Sequence, residues 1–192
     1  PKRAGYQSWY PAKIQTKRRL HVKDFFPRYD CKLEHFEQEM EMNYDEFVSY
    51  LLKKYGSAKY DYFTNATCKT KSKRISRTKE GLFCHHIDED KGYMLSHTGC
   101  ALKQPFEYQK AERLVYCNYI EHLLLHILIG KNAFWSKHQK LIAPKQFSYF
   151  IVPGVSYICS EINLLYDQNG SSVEWRNRCF KEIENNFEDY IY

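Results

Sequence analysis

The stretch L-V-Y-C-N-Y-I-E-H-L-L-L-H, residues 114–126, decides the fold. Its first four residues are apolar or aromatic, which predicts a short strand at Leu114–Cys117. Asn118 has the side chain of a helix N-cap, and Glu121 three residues later completes a capping box. We therefore expect a helix from about Tyr119 to Ile129, with Gly130 as its stop.

The predicted helix carries two histidines at a spacing that suits a metal ion. His122 and His126 are four residues apart, so they share one face of the helix. The order of residues excludes a zinc protease, which needs H-E-x-x-H. Here Leu123 follows His122, and the glutamate precedes it.

A second stretch, E-G-L-F-C-H-H-I-D-E-D at residues 80–90, contains the adjacent histidines His85 and His86. The apolar run 81–87 predicts a strand, on which neighbouring side chains point to opposite faces. A strand that brings His85 to His122 and His126 would supply three nitrogen ligands and leave coordination positions open, as in catalytic metal sites. His86 would then be free to act as a general base, since an imidazole titrates near neutral pH.

The residues around these histidines have more ordinary interpretations. The acidic loop after His86 is expected to be solvated, with Asp88 the best exception as a further ligand. The apolar side chains of the histidine helix are expected to lie in the core: Leu123, Leu124, Ile127 and Leu128.

Composition predicts an ordinary globular protein, with a modest positive charge of the sign that suits a nucleic-acid partner. Hydrophobic residues make up 43%, charged residues 27%, and the formal net charge is +6. The seven cysteines are an odd number with no C-x-x-C, which favours reduced thiols and a cytoplasmic location, and no apolar run is long enough to span a membrane. The polar loop 66–79 carries six cations that are candidates for phosphate contact: Lys69, Lys71, Lys73, Arg74, Arg77 and Lys79.

The rest of the chain predicts one domain in four parts. A basic N-terminal arm at 1–35, with a second cationic cluster at 17–19, precedes a helix and the basic loop over 36–79. The helix covers about 43–56, capped by Asn43 and ended by Gly56. The histidine-bearing core covers 80–131. A C-terminal part at 132–192 holds a predicted strand at Phe147–Val152, a turn at Pro153-Gly154, and helices over about 156–166 and 172–190.

The order of strand, His-His, loop, strand and helix with H-x-x-x-H resembles the HNH endonucleases, the ββα-metal or His-Me finger superfamily. The residues that carry the resemblance are C-H-H-I-D (84–88) and E-R-L-V-Y-C-N-Y-I-E-H-L-L-L-H (112–126), within about 80–130. It implies an α+β fold, a ββα-metal finger embedded in a mainly helical domain. It also implies metal-dependent hydrolysis of DNA, with His85, His122 and His126 as metal ligands and His86 as the base that activates water.

The resemblance further implies a divalent ion (Mg²⁺, Mn²⁺, Zn²⁺ or Ni²⁺) as cofactor and double-stranded DNA as partner. A homodimer would let one active site per chain cut both strands. The sequence departs from the family at Arg113, which stands in E-R-L where the family has an asparagine that braces the loop and orients the base. Arg113 therefore bears on catalytic efficiency. Two alternatives stay open: a non-catalytic nucleic-acid-binding module with a structural zinc, and a nuclease toxin or defence protein controlled by a partner.

Overall fold

The computed structural model describes residues 42–135 and 152–191, which form an α+β arrangement of helices around a two-stranded sheet. Short 3₁₀ helices lie at Lys73–Ile75, Thr78–Glu80, Ile87–Asp90, Phe106–Gln109 and Ala111–Arg113. The α-helices and strands are α1 (Tyr44–Tyr55), β1 (Phe83–His86), α2 (Thr98–Ala101), β2 (Leu114–Cys117), α3 (Tyr119–Trp135), α4 (Val152–Asp167), α5 (Glu174–Lys181) and α6 (Phe187–Ile191). The predicted α+β class is confirmed, whereas the predicted arm at 1–35 lies outside the described residues.

The two strands pair in antiparallel fashion and place the histidine pair beside the start of β2. Phe83 pairs with Cys117, and His86 pairs with Leu114. The loop 87–113 therefore leaves the sheet and returns to it at one end. Because Arg113 directly precedes Leu114, the register brings it close to the residues that follow His86.

Helix α3 begins where the sequence predicts, and its first turn is tied to α1. The Asn118 side chain accepts a hydrogen bond from the Glu121 amide at 2.9 Å, and the Glu121 carboxylate accepts one from the Asn118 amide at 2.8 Å. The same carboxylate accepts hydrogen bonds from the Lys54 ammonium at 2.6 Å and the Tyr55 hydroxyl at 3.1 Å. These contacts fix where the histidine helix starts relative to the end of α1.

Helix α3 packs between two apolar clusters, which leaves its histidine face towards β1. Leu124, Leu125 and Leu128 pack with α1 and β2 in one cluster. Leu123 and neighbouring side chains pack with α4 and α5 in the other. Three of the four predicted core positions on this helix are confirmed, whereas the prediction for Ile127 is wrong, since its side chain is 42% exposed.

Two predicted helix boundaries are wrong at glycine and proline. Helix α3 continues through Gly130 to Trp135, because burial of Leu128 and Ile129, which directly precede the glycine, outweighs its helix penalty of about 1 kcal/mol. Pro153 and Gly154 lie in the first turn of α4, where proline loses no intrahelical hydrogen bond. Val152 begins that helix and is not in a strand; residues 147–151 of the predicted strand lie outside the described ranges.

The single helix predicted over 172–190 is two helices, α5 and α6. The Tyr166 hydroxyl donates a hydrogen bond to the carbonyl of Ile183, and the amide of Asn186 donates to the same carbonyl at 2.9 Å. In a continuous α-helix, the Ile183 carbonyl would instead accept a hydrogen bond from the amide of residue 187. The interruption therefore comes from a tertiary contact that the local pattern does not reveal.

The structure bears on two predicted features, the reduced cysteines and the absence of a membrane-spanning helix. The six cysteines within the described residues are all free thiols. Among helices of the described ranges, none combines the length and apolar character that crossing a bilayer requires.

Candidate metal centre and adjacent base

Strand β1 and helix α3 bring three predicted ligands together. Each of His85, His122 and His126 offers a ring nitrogen, and these three atoms lie within 4.8 Å of one another. The centroid distances are 5.2 Å from His85 to each of the other two rings and 5.1 Å between His122 and His126. The imidazoles thus form a nearly equilateral triangle around one point, which could hold a metal ion.

The hydrogen bonds of Tyr44 fix which nitrogen of His85 faces that point. The Tyr44 hydroxyl donates its proton to the carbonyl of Ile87 at 2.9 Å. Its oxygen lies 3.0 Å from His85 Nε2 and must therefore accept a proton from that nitrogen. His85 then carries its proton on Nε2, and Nδ1 keeps a free lone pair.

His85 Nδ1 is buried and has no hydrogen-bond partner within the described residues. A buried nitrogen lone pair without a partner is costly, unless a ligand such as a metal ion binds it. The arrangement, in which the second nitrogen is held by a hydroxyl, is also the one that orients metal-bound histidines in proteins. The residues present therefore fit a divalent metal ion.

Burial keeps the ligand imidazoles neutral, which is the form that binds metals. It lowers the pKa of His126 to about 4. Burial, followed by the proximity of the other histidines, holds the pKa values of His85 and His122 well below the usual range. At neutral pH all three rings offer free lone pairs, and protons compete little with a metal ion for them.

His86 points away from this triangle, as the alternation of a strand predicts, and Gln109 holds it. His86 Nε2 lies 2.9 Å from Gln109 Oε1, and the Gln109 amide nitrogen donates to the carbonyl of Leu95 at 3.3 Å. Because Oε1 can only accept, Nε2 carries the proton and Nδ1 of His86 has a free lone pair. The Tyr62 ring packs on the imidazole, with a centroid distance of 4.4 Å. Burial lowers the pKa of His86 to about 4, so the ring is neutral and able to accept a proton.

Glu89 is a site residue that the sequence interpretation missed. Its Oε2 lies 3.4 Å from His126 Nε2 and 3.6 Å from His85 Nδ1, and its Oε1 lies 3.8 Å from His86 Nδ1. Burial raises the pKa of this carboxyl to about 8. The available signal was the turn after β1: in a 3₁₀ helix, side chains three residues apart lie on the same side, so residue 89 returns towards residue 86.

Asp88, the best exception to the expected solvated loop as a further ligand, is buried and forms ion pairs with Arg113 and Lys91 instead. Arg113 donates to both carboxylate oxygens, with Nε at 2.6 Å from Oδ2, and Lys91 donates to Oδ1 at 2.8 Å. Burial alone would raise the pKa of Asp88, but hydrogen bonds from Arg113 and Lys91 hold it below its usual value. Arg113, predicted as a catalytic residue, thus joins the two ends of the loop 87–113.

The six cations of the basic loop do not share one environment. Arg77 forms an ion pair with Glu80 and donates to the carbonyl of Tyr55. Arg74 packs on the ring of Tyr60 at 3.6 Å. The Lys71 ammonium lies 5.3 Å from the Tyr62 ring, which itself packs on His86, so Lys71 is the loop cation placed nearest the candidate base. Lys69, Lys73 and Lys79 have exposed side chains.

Gly154 on helix α4 supports the ligand His126 by leaving room for it. A Cβ at position 154 would lie 2.7 Å from Cε1 and from Nδ1 of His126. This packing joins residues far apart in sequence, and no sequence pattern indicates it.

Substituting Gly154→Ala is expected to weaken metal binding by about tenfold, since the ring must shift from its place among the other ligands and about 1.4 kcal/mol corresponds to that factor. Competition of the metal-stripped protein with a chromophoric chelator for Zn²⁺ measures the affinity. Gly99→Ala is the matched control, because a Cβ there would meet its nearest neighbour, His97, at 3.4 Å. Equal affinities in the two variants would contradict the role of Gly154.

Comparisons of this chain with protein-family models, with curated proteins and with solved structures give no match.

Proposed function

We propose that this protein is a metal-dependent, HNH-type endonuclease that hydrolyses phosphodiester bonds of double-stranded DNA. The observation that carries the proposal is the cluster of three neutral imidazoles around one point, next to a fourth imidazole whose Nδ1 lone pair is free. Metal-assisted hydrolysis needs these two parts: ligands that leave room for substrate, and a base close to the metal. The order of strand, strand and helix that supplies them here is the order expected of a ββα-metal finger.

In the proposed reaction, His85, His122 and His126 hold a divalent ion, which when bound stabilises negative charge on the phosphate and the leaving oxygen. His86 Nδ1 accepts a proton from a water molecule as the water oxygen forms its bond to phosphorus. The bond from phosphorus to the leaving oxygen breaks, and that oxygen takes a proton from solvent. Gln109 keeps His86 in the tautomer that this step requires.

The Asp88–Arg113 ion pair supports a role for Arg113 in positioning. In the family that the sequence resembles, an asparagine braces the loop that carries the base. Here the guanidinium of Arg113, just before β2, binds the carboxylate of Asp88, just after β1. We infer that this pair replaces the asparagine as the brace, so the departure from the family pattern is compatible with activity.

The basic loop supplies charge for binding the DNA backbone. Lys71 lies nearest His86 and is proposed to contact the phosphate at the cleavage site, while the exposed lysines of the loop contact flanking phosphates. Binding that depends on such contacts falls steeply with salt.

A nicking assay with supercoiled plasmid tests the proposal. Metal-stripped protein is expected to be inactive and to regain cleavage with at least one of Mg²⁺, Mn²⁺, Ni²⁺ and Zn²⁺. Ligands that are all nitrogen favour the transition metals by affinity. A double variant, His122→Ala/His126→Ala, controls for contaminating nuclease and should stay inactive with every ion. Absence of cleavage by the wild-type protein with all four ions, on DNA and on RNA, would overturn the assignment.

One observation favours a second function, a nucleic-acid-binding module with a structural metal. His86 is only 1% exposed, whereas a general base must be reached by water and by the phosphate. This alternative predicts tight metal binding and salt-sensitive binding to DNA, with no cleavage under any divalent ion.

A further inference from the structure

The carboxylate of Glu89 lies beside two of the three candidate ligands, His85 and His126. Its Oε2 is 3.4 Å from His126 Nε2 and 3.6 Å from His85 Nδ1. In a tetrahedral site with ligand distances of about 2.0–2.1 Å, neighbouring ligand atoms are separated by about 3.4 Å. Relative to these two histidines, the oxygen is therefore at the spacing expected between two ligands of one ion.

The charge around Glu89 also indicates a cation. Its side chain is 15% exposed, and its ion-pair contacts within the described ranges are all with imidazoles: His85, His86 and His126. A carboxyl group removed from water stays protonated unless a positive charge balances its ionised form, and neutral imidazoles do not supply that charge. A divalent ion held by the histidines would supply that positive charge next to Oε2.

The neighbouring carboxylates do not share this environment. Asp88 is neutralised by Arg113 and Lys91. Asp90 is exposed to solvent. Of the three acidic residues that follow His86, Glu89 is thus the one that faces the histidines, and its placement comes from the 3₁₀ turn Ile87–Asp90.

We propose that Glu89 is the fourth protein ligand of the metal, so that the resting site is of the His₃Glu type. This inference rests on the metal centre of the proposed function and extends it. Three nitrogens and one carboxylate oxygen in a tetrahedral arrangement suit zinc and cobalt better than Mg²⁺, which prefers six oxygen ligands. As a fourth ligand, Glu89 would fill a coordination position that a phosphate oxygen could otherwise take, so substrate would displace it or add as a fifth ligand. Its Oε1 lies 3.8 Å from His86 Nδ1.

Titration of the metal-stripped protein with Co²⁺ tests this ligand without DNA. Visible absorption reports the coordination of cobalt, and competition with a chelator gives the affinity. Glu89→Gln keeps the size of the side chain but removes the anionic ligand, and is expected to weaken Co²⁺ binding at least about tenfold and to change the spectrum. Asp90→Asn is the matched control for loss of one nearby negative charge, and should retain both the affinity and the spectrum of the wild type.

A second variant provides a test that does not depend on Glu89→Gln folding well. Glu89→Ala leaves space for a small carboxylate, so acetate is expected to shift the Co²⁺ spectrum of this variant back towards that of the wild type. Acetate should leave the spectrum of Asp90→Ala unchanged.

Wild-type spectra and affinity in Glu89→Gln, or no response of Glu89→Ala to acetate, would overturn the ligand assignment while leaving the nuclease proposal intact. Co²⁺ binding that depends on Glu89 in a protein that cleaves no nucleic acid would support the ligand and overturn the nuclease. Failure of the wild-type chain to bind Co²⁺ at all would overturn the metal centre and this proposal together.

Discussion

His86→Ala is expected to bind metal as tightly as the wild-type protein and to cleave DNA at least about 100-fold more slowly, which is the lower end of what a general base contributes. The reason is the separation of roles along β1. His85 faces the other ligands, whereas His86 is held by Gln109 on the opposite side of the strand. Removing His86 therefore removes the proton acceptor and leaves the three nitrogen ligands in place.

Single-turnover cleavage of a labelled duplex at saturating metal measures the rate, and chelator competition measures the metal affinity. His97→Ala is the matched control, because His97 is an exposed histidine on the loop 87–113 that follows His86, and it should keep the wild-type rate. Cleavage by His86→Ala at the wild-type rate would refute the base assignment. A parallel loss of metal affinity would instead mean that His86 supports the metal centre.

Arg113→Asn is expected to lower the free energy of unfolding by about 2 kcal/mol, and to lower cleavage with it, although it restores the residue that the family pattern has at this position. Asparagine is too short to reach Asp88, whose side chain is 2% exposed and would keep only Lys91 as a partner. Breaking a fully buried ion pair costs about 3–5 kcal/mol. The smaller figure is expected here because the Arg113 side chain is 35% exposed, so solvent screens the pair, and because Lys91 remains.

Urea denaturation followed by circular dichroism measures the change in stability. Lys91→Asn is the matched comparison: it removes the other cation on the same carboxylate, but a Lys91 side chain that is 53% exposed should contribute less than 1 kcal/mol, the usual upper value for a surface pair. Equal stability of Arg113→Asn and wild type would argue against the brace. Faster cleavage in that variant would mean that asparagine performs its family role here and that Arg113 impairs the site.

The residues of the candidate metal centre were predictable because the relative directions of neighbouring histidines are set within each strand or helix. His122 and His126 lie on one face of a helix whose start Asn118 and Glu121 specify locally. The opposite directions of His85 and His86 follow from the geometry of any strand. Such local rules need no knowledge of the rest of the fold.

The sequence could not distinguish the three carboxylates after His86. The loop was expected to be solvated, with Asp88 as the best exception, but Asp88 pairs with Arg113 from the far end of a long loop. That pairing depends on the register of β1 against β2. Glu89 faces the histidines because the chain turns into a 3₁₀ helix at that point. A difference of one residue in such a turn changes which side chain reaches the site.

The sequence by itself determined the elements of this site: a short strand with two histidines of opposite direction, and a capped helix with two more on one face. Only the tertiary structure decided how those nitrogens are used. Tyr44 and Gln109 fix the tautomers of His85 and His86, and Gly154 leaves space for His126. These partners come from α1, the loop 87–113 and α4, and hydrogen bonds and steric contacts between distant segments leave no periodic pattern in the chain. Local patterns arise from the repeat of a helix or a strand, whereas proton positions depend on which groups folding brings within about 3 Å.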